Sequence, residues 1–265
     1  MTFRVILAEA WEKSRGQGLL WFLLAAMHLF SLLLGYGLLL VAARMIQQGA
    51  ASDGTLLQAL GSLSLTLFLL VAVMAPAWGS GLMALFRQVQ EGERPSFASF
   101  ARHTGTYYWR FAGGALLFFF FYGVLRSLAL GGGSSPWIVK ALFFGLFLFF
   151  RMITLYWSPA VAMGNRTTLG GVHASTQMAL GAWLPTALLV LGDTGVVLAF
   201  QRLGGIALIG GGFSLADLAS EVEGRLQWYP FWAGVVLSFL MGLWELYFRT
   251  TVWTFFRKGY RSEGA

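Results

Sequence analysis

Three ionisable residues lie near the middle of long apolar segments: Arg151, Asp193 and Glu245. An unpaired charge at the centre of a bilayer costs about 3 kcal/mol or more, so such side chains pair with one another or line a polar path. Because their segments are consecutive in the chain, we expect Arg151 to bind Asp193, Glu245 or both through its guanidinium fork. Two interpretations stay open: a polar path or substrate site inside a helical bundle, and a structural pin that fixes helix register.

The Gly79-Ser80-Gly81 sequence is similar to the serine motif of intramembrane rhomboid proteases. Such a protease needs a histidine on a neighbouring span to activate the hydroxyl. His28 lies inside the first apolar segment, and the rest of that family's motif and its span order are absent. Small residues at this spacing favour close helix packing instead. We therefore predict no catalytic residue and a non-enzymatic protein.

Metal and cofactor sites are not predicted either. The chain has no cysteine, which excludes disulfides and thiolate ligands. No apolar segment carries two His, Asp or Glu residues at the i, i+4 spacing of metal ligands. The glycines at 204–205 and 210–212 lack the Lys-Ser/Thr ending of a phosphate-binding loop and read as an outward connection.

The elements that must position these residues are membrane-spanning helices. The chain is 57% hydrophobic and 11% charged, far below the roughly 25% charge of soluble domains. A span needs about 20 predominantly apolar residues. We predict an all-α, polytopic bundle of six transmembrane helices, with kinks at Pro76 and Pro159. The predicted spans are residues 18–43, 56–87, 107–130, 137–163, 182–204 and 229–256.

Basic residues collect on one side of these spans, which the positive-inside rule makes cytoplasmic. Both termini are then cytoplasmic, in a plasma membrane of bacterial type, and the N-terminal segment lacks a signal-peptide pattern. The net charge of +7 lies in short stretches between apolar runs, so no nucleic acid partner is predicted. The cytoplasmic set is Arg4, Lys13, Arg15, Arg87, Arg94, Arg102, Arg110, Arg166, Arg257, Lys258 and Arg261; the opposite set is Arg44, Arg126, Lys140, Arg202 and Arg225.

Three cytoplasmic segments have the pattern of helices that lie in the membrane interface: 2–15, 95–106 and 167–178. The first places Ile6, Ala10 and Trp11 on one helical face, with charged residues on the other. Each segment precedes two spans, which suggests repeat units 1–90, 91–164 and 165–265 within a single membrane domain of residues 1–265. Arg94 aligns with Arg166 at a spacing of 72 positions. Duplication and a simple succession of hairpins both explain this pattern.

Two further segments indicate contacts outside the bundle. Residues 214–227 carry Leu215, Leu218 and Val222 at helical spacing, which predicts an outward-facing helix on the membrane surface. On the cytoplasmic side, basic residues near the surface attract anionic lipid headgroups by about 1 kcal/mol each. The candidate lipid contacts are Arg87, Arg94, Arg102 and Arg110.

Short motifs in the middle half of the chain resemble a broad bacterial group of membrane proteins. The motifs are Pro76 followed by Gly79 and Gly81, Gly92-Glu93-Arg94, and Ser158-Pro159-Ala160 before Asn165. The group contains six-span integral membrane proteins of unknown function and the membrane domain of some glycerophosphoryl diester phosphodiesterases. The resemblance implies a fold; no phosphodiesterase catalytic domain accompanies it here.

Two functions are compatible with these patterns. The first is a membrane-embedded scaffold or lipid-associated accessory protein, with membrane lipids as partners and a protein partner or second copy as a further contact. The alternative is a transporter or permease subunit that uses Arg151, Asp193 and Glu245.

Overall fold

The computed structural model describes residues 3–47, 55–130, 136–203 and 228–262. Over these ranges the chain is all-helical, with no β-strand, which confirms the all-α part of the predicted fold class. The described helices are α1 Phe3–Ser14, α2 Gly18–Gln47, α3 Thr55–Glu91, α4 Phe97–His103, α5 Tyr108–Leu130, α6 Trp137–Thr154, α7 Trp157–Met163, α8 Thr168–Gly181, α9 Trp183–Leu203 and α10 Trp228–Ser262.

Local side chains set the ends of the short helices. Ser96 caps α4 by accepting a hydrogen bond from the backbone N–H of Ser99, and Thr167 caps α8 in the same way with Gly170. Gly92 adopts a φ of 85° directly after α3, a conformation that glycine reaches without strain. The three predicted interfacial segments are therefore helical, as α1, α4 and α8.

Three helical stretches of the described chain are long and apolar enough to cross a membrane: Trp137–Met163, Trp183–Phe200 and Gly234–Gly259. α1 and the Gly18–Leu34 part of α2 meet at 91° and count as a fourth stretch if the bent pair is taken together. A helical protein with three or four candidate spans is thus established for these ranges.

The outer surfaces of these stretches are apolar. On α6, Ile138 is 62% exposed, and Leu142, Leu146 and Phe149 are exposed on the same helical face. α9 exposes Leu184, Leu188 and Leu191, and α10 exposes Val236, Leu240 and Leu243, at the same spacing of three or four residues. Soluble monomers rarely expose contiguous apolar faces of this kind. These exposed faces match a hydrocarbon environment rather than water.

The buried core lies at one end of the bundle, which we call the packed end. It is built from α1, residues 20–24 of α2, residues 82–89 of α3, α4, α7, α8 and the last turns of α10. Phe86 stacks on Trp253, with ring centroids 5.9 Å apart. Because α1 packs against α10, the first and last described helices meet at this end.

The two prolines act differently. α3 continues through Pro76 without a break. The fourth predicted span is interrupted between Thr154 and Trp157, where α6 ends and α7 begins. Pro159 has no N–H to donate to the carbonyl of Leu155 and its ring crowds that carbonyl, so the helix is interrupted one turn before the proline.

Candidate functional site: the buried charges of the bundle

Arg151 and Asp193 form an ion pair between α6 and α9. Nη1 of Arg151 also donates to Oγ1 of Thr194 at 2.6 Å, and Nε1 of Trp244 donates to the second oxygen of Asp193 at 2.7 Å. The Asp193 side chain is only 6% exposed. Both of its oxygens therefore have partners, and three helices meet at one carboxylate.

Glu245 has different partners from those expected. One of its oxygens lies 2.7 Å from Nε2 of His28 on α2, and the other accepts a 2.7 Å hydrogen bond from Nε of Arg249. The predicted cluster of three is therefore split between two neighbouring groups, one of Arg151 with Asp193 and one of Glu245 with His28 and Arg249. Trp244 and Glu245 are successive residues of α10, about 100° apart around the helix. Trp244 therefore reaches Asp193 on α9, whereas Glu245 reaches α2.

Two of these residues lie about half a bilayer thickness from the start of their helices, a level that we call middle depth. His28 and Asp193 each come ten residues after their helix begins, at Gly18 and Trp183. At 1.5 Å per residue, this is about 15 Å, half of a hydrocarbon layer of about 30 Å. A carboxylate buried among apolar helices is stabilised by a cationic neighbour, which Arg151 supplies to Asp193 and Arg249 supplies to Glu245.

Sequence reasoning missed Arg249 and the role of His28. Arg249 follows Glu245 by four residues on one helix, a spacing that favours an ion pair, so the sequence contained this signal. The contact between His28 and Glu245 joins residues 217 positions apart and becomes visible only once α2 lies against α10.

Ser80 has a structural environment. Its hydroxyl donates to the carbonyl of His103 at 3.0 Å and accepts the backbone N–H of Tyr107 at 3.1 Å. A Cβ on Gly81 would lie 2.5 Å from the ring of Phe100. The absence of a side chain at the glycines lets aromatic rings pack directly against α3, and the Ser80 hydroxyl binds the turn after α4. This environment agrees with the predicted packing surface.

A second polar network joins α1, α3 and α10 at the packed end. Gln90, 1% exposed, accepts a 2.8 Å hydrogen bond from Lys13 and donates to Oγ1 of Thr254 at 3.2 Å. Glu9 pairs with Lys13 and with Lys258. Burial raises the pKa of Glu9, but the hydrogen bonds and positive charges of these two lysines outweigh it and lower the pKa below its ordinary value.

The four candidate lipid-binding arginines fall into two classes. Arg87 pairs with Glu91 at 2.8 Å and also lies 3.3 Å from the hydroxyl of Tyr107. Arg110 donates to the side-chain oxygen of Asn165 at 2.7 Å. Arg94 and Arg102 are exposed and bond to no side chain within the described ranges. The last two are therefore the freest to contact headgroups.

Some expectations concern residues that the structure does not describe. The predicted helix at 214–227 and the glycines at 204–205 and 210–212 lie outside the described residues. Within the described ranges, no group of three or more His, Asp or Glu side chains is placed to hold a metal ion.

Comparison with known proteins found no match. No family model, curated protein or solved structure matches it. The resemblance to the bacterial six-span group therefore remains an expectation based on the short motifs quoted above.

Proposed function

We propose that this chain is a six-span plasma-membrane protein that acts as a non-enzymatic, membrane-embedded scaffold or lipid-associated accessory. Its partners are membrane lipids, with a protein partner or second copy as a further contact. The exposed apolar faces of α6, α9 and α10 support the membrane assignment. α2, α3 and α5, each at least 23 residues long, supply the remaining three spans of this proposal.

The proposed orientation places the packed end, and with it both termini, in the cytoplasm. Basic residues concentrate there, including Arg94 just before α4, Arg102 in its last turn and Lys258 near the end of α10. This asymmetry is the one that the positive-inside rule uses.

The scaffold assignment rests on one observation: the buried charges neutralise one another. Arg151 is paired with Asp193, and Arg249 is paired with Glu245. Each carboxylate also has a further donor, Trp244 for Asp193 and His28 for Glu245. A site that must capture a charged substrate needs an unmatched charge, whereas a structural pin needs none.

The orientation is testable because the chain contains no native cysteine. We expect Arg102→Cys to react with a membrane-impermeant maleimide only after permeabilisation, and Glu221→Cys to react in intact cells. Labelling of Arg102→Cys in intact cells would overturn the orientation.

A transporter or permease subunit is the second candidate, and one observation favours it. Glu245 is shared between His28 of α2 and Arg249 of α10, so a carboxylate, an imidazole and a guanidinium meet between these two helices. Asp, Glu and His side chains that lie together inside membrane spans are the groups from which proton relays are built.

Vesicles reconstituted with the purified protein and an internal pH-sensitive dye distinguish the two candidates. As a scaffold, the wild-type protein dissipates an imposed pH gradient no faster than His28→Gln or empty vesicles do. Faster dissipation by wild type, abolished in Glu245→Gln, would replace the scaffold with the transporter.

A further inference from the structure

The middle of the chain has a one-sided charge distribution. Between Glu93 and Asp193 the sequence contains no acidic residue. The basic residues of this stretch are Arg94, Arg102, Arg110, Arg126, Lys140, Arg151 and Arg166. Arg151 is neutralised by Asp193. The arginines of this stretch on the proposed cytoplasmic side have no acidic residue within the same stretch with which to pair.

Arg110 contacts the turn that leads into Arg166. Nη1 of Arg110, near the start of α5, donates at 2.7 Å to Oδ1 of Asn165, and Arg166 is the next residue. Asn165 has a φ of 47° in the tight turn between α7 and α8. The Asn165 amide is neutral, so it fixes the Arg110 guanidinium without cancelling its charge. Arg166 forms no ion pair with any described carboxylate.

The surrounding contacts hold this turn in place. Oγ1 of Thr168 donates to the carbonyl of Arg110 at 2.9 Å, and Nε1 of Trp157 donates to the carbonyl of Thr168 at 3.0 Å. A Cβ on Gly113 would lie 3.3 Å from Oγ1 of Thr168, so α5 and α8 are in close contact. The two arginines are thus presented by a preformed corner, which reduces the ordering cost of binding.

Large apolar side chains flank the arginines and point away from the protein. Trp109, beside Arg110, is 81% exposed, and Leu169, three residues after Arg166, is 73% exposed. Tryptophan favours the headgroup region, where its ring meets both apolar and polar surroundings. Cations beside exposed apolar groups match a ligand with an anionic head and an acyl tail.

We propose that Trp109, Arg110, Asn165, Arg166 and Leu169 form a binding site for an anionic phospholipid of the cytoplasmic leaflet. The phosphate lies against the two guanidinium groups, and Trp109 and Leu169 contact the glycerol and upper acyl region. This inference rests on the proposed function and deepens it, because it assigns the lipid association to one corner. It adds Arg166 to the lipid-binding arginines that the sequence suggested.

Native mass spectrometry of the detergent-purified protein, titrated with phosphatidylglycerol and separately with phosphatidylcholine, tests the proposal. At about 1 kcal/mol per basic residue, Arg110→Gln or Arg166→Gln weakens phosphatidylglycerol binding by about fivefold, and the double variant by about 30-fold. Phosphatidylcholine binding changes little. Trp109→Ala weakens both lipids to a similar degree.

Arg15→Gln is the matched control, since it removes one positive charge from the same end of the bundle, where Arg15 pairs with Glu12. An equal loss in Arg15→Gln would show a general charge effect and overturn the site. Unchanged phosphatidylglycerol binding in the double variant would also overturn it while leaving the membrane assignment intact. If wild type prefers neither lipid, the proposed lipid association itself fails.

Discussion

The packed end and the middle of the bundle are held together by different interactions. At the packed end, buried aromatic rings such as Trp253 and Phe86 pack around hydrogen-bonded polar groups such as Gln90 and Ser80. At middle depth, α6 and α9 turn apolar faces outward and meet through the pair of Arg151 and Asp193. The first region resembles the core of a soluble protein, and the second has little core of its own.

The contrast follows from the solvent of each region. Near water, burial of apolar surface drives packing. In hydrocarbon that driving force is absent, and helices associate through close backbone approach and polar contacts. Apolar packing contributes least to stability in the middle of the bundle. We therefore expect the charge pairs, and the close approach of Gly242 to the backbone of Ala25, to contribute most of the stability there.

The largest effect is expected at the middle-depth ion pair. Arg151→Ala leaves the Asp193 carboxylate without its cationic partner, which we expect to lower the free energy of unfolding by about 3 kcal/mol. The double variant Arg151→Met with Asp193→Leu, which leaves no unpaired charge, recovers most of that loss. Titration of the detergent-purified protein with SDS measures both changes. A single variant as stable as the parent would refute the structural pin.

A smaller effect is expected where Gly242 of α10 lies against the backbone of α2. A Cβ on Gly242 would lie 2.8 Å from the backbone nitrogen of Ala25, so Gly242→Ala must push the helices apart. We expect a loss of about 1–3 kcal/mol in the same titration.

Gly145→Ala provides the matched control, because nothing lies within 4 Å of its added Cβ. It should leave stability unchanged or raise it by up to about 1 kcal/mol through helix propensity. Equal losses in the two variants would show that close approach at Gly242 is not the cause.

The smallest effect is expected at the partly exposed pairs of the packed end. Because the pKa of Glu9 is lowered in the folded protein, its contribution to stability is complete above the ordinary value of 4.5 and is lost as pH falls through the lower folded value. Glu9→Gln should therefore lower the melting temperature slightly at pH 7, and the difference from wild type should shrink below pH 4.5. A difference that grows on acidification would contradict the pairing with Lys13 and Lys258.

The sequence predicted the helices well because runs of about 20 apolar residues have few alternatives to helix in a membrane. The ends of the helices were less predictable. α3 continues to Glu91 and α10 to Ser262, beyond the ends of the predicted spans. The reason is that helical hydrogen bonding continues into polar turns that an apolar pattern does not mark. α1 was expected to place Ile6 and Ala10 against lipid, but both are buried against protein, chiefly α10. An apolar helical face has the same sequence pattern whether lipid or protein covers it.

The candidate site was predicted in part. Arg151, Asp193 and Glu245 could be singled out by their depth in apolar segments, but partner choice depends on which helices touch. His28 and Trp244 enter the site only through the packing of α10 against α2 and α9.

The central claim is that hydrocarbon surrounds the apolar faces of α6, α9 and α10. Nitroxide labels on single cysteines at Leu142, Leu188 and Leu240, in protein reconstituted into bilayers, test it directly by electron paramagnetic resonance. We predict high collision rates with molecular oxygen and low rates with a water-soluble nickel chelate at these positions, and the reverse at Arg102. Free access of the nickel chelate to Leu142, Leu188 and Leu240 would contradict the account.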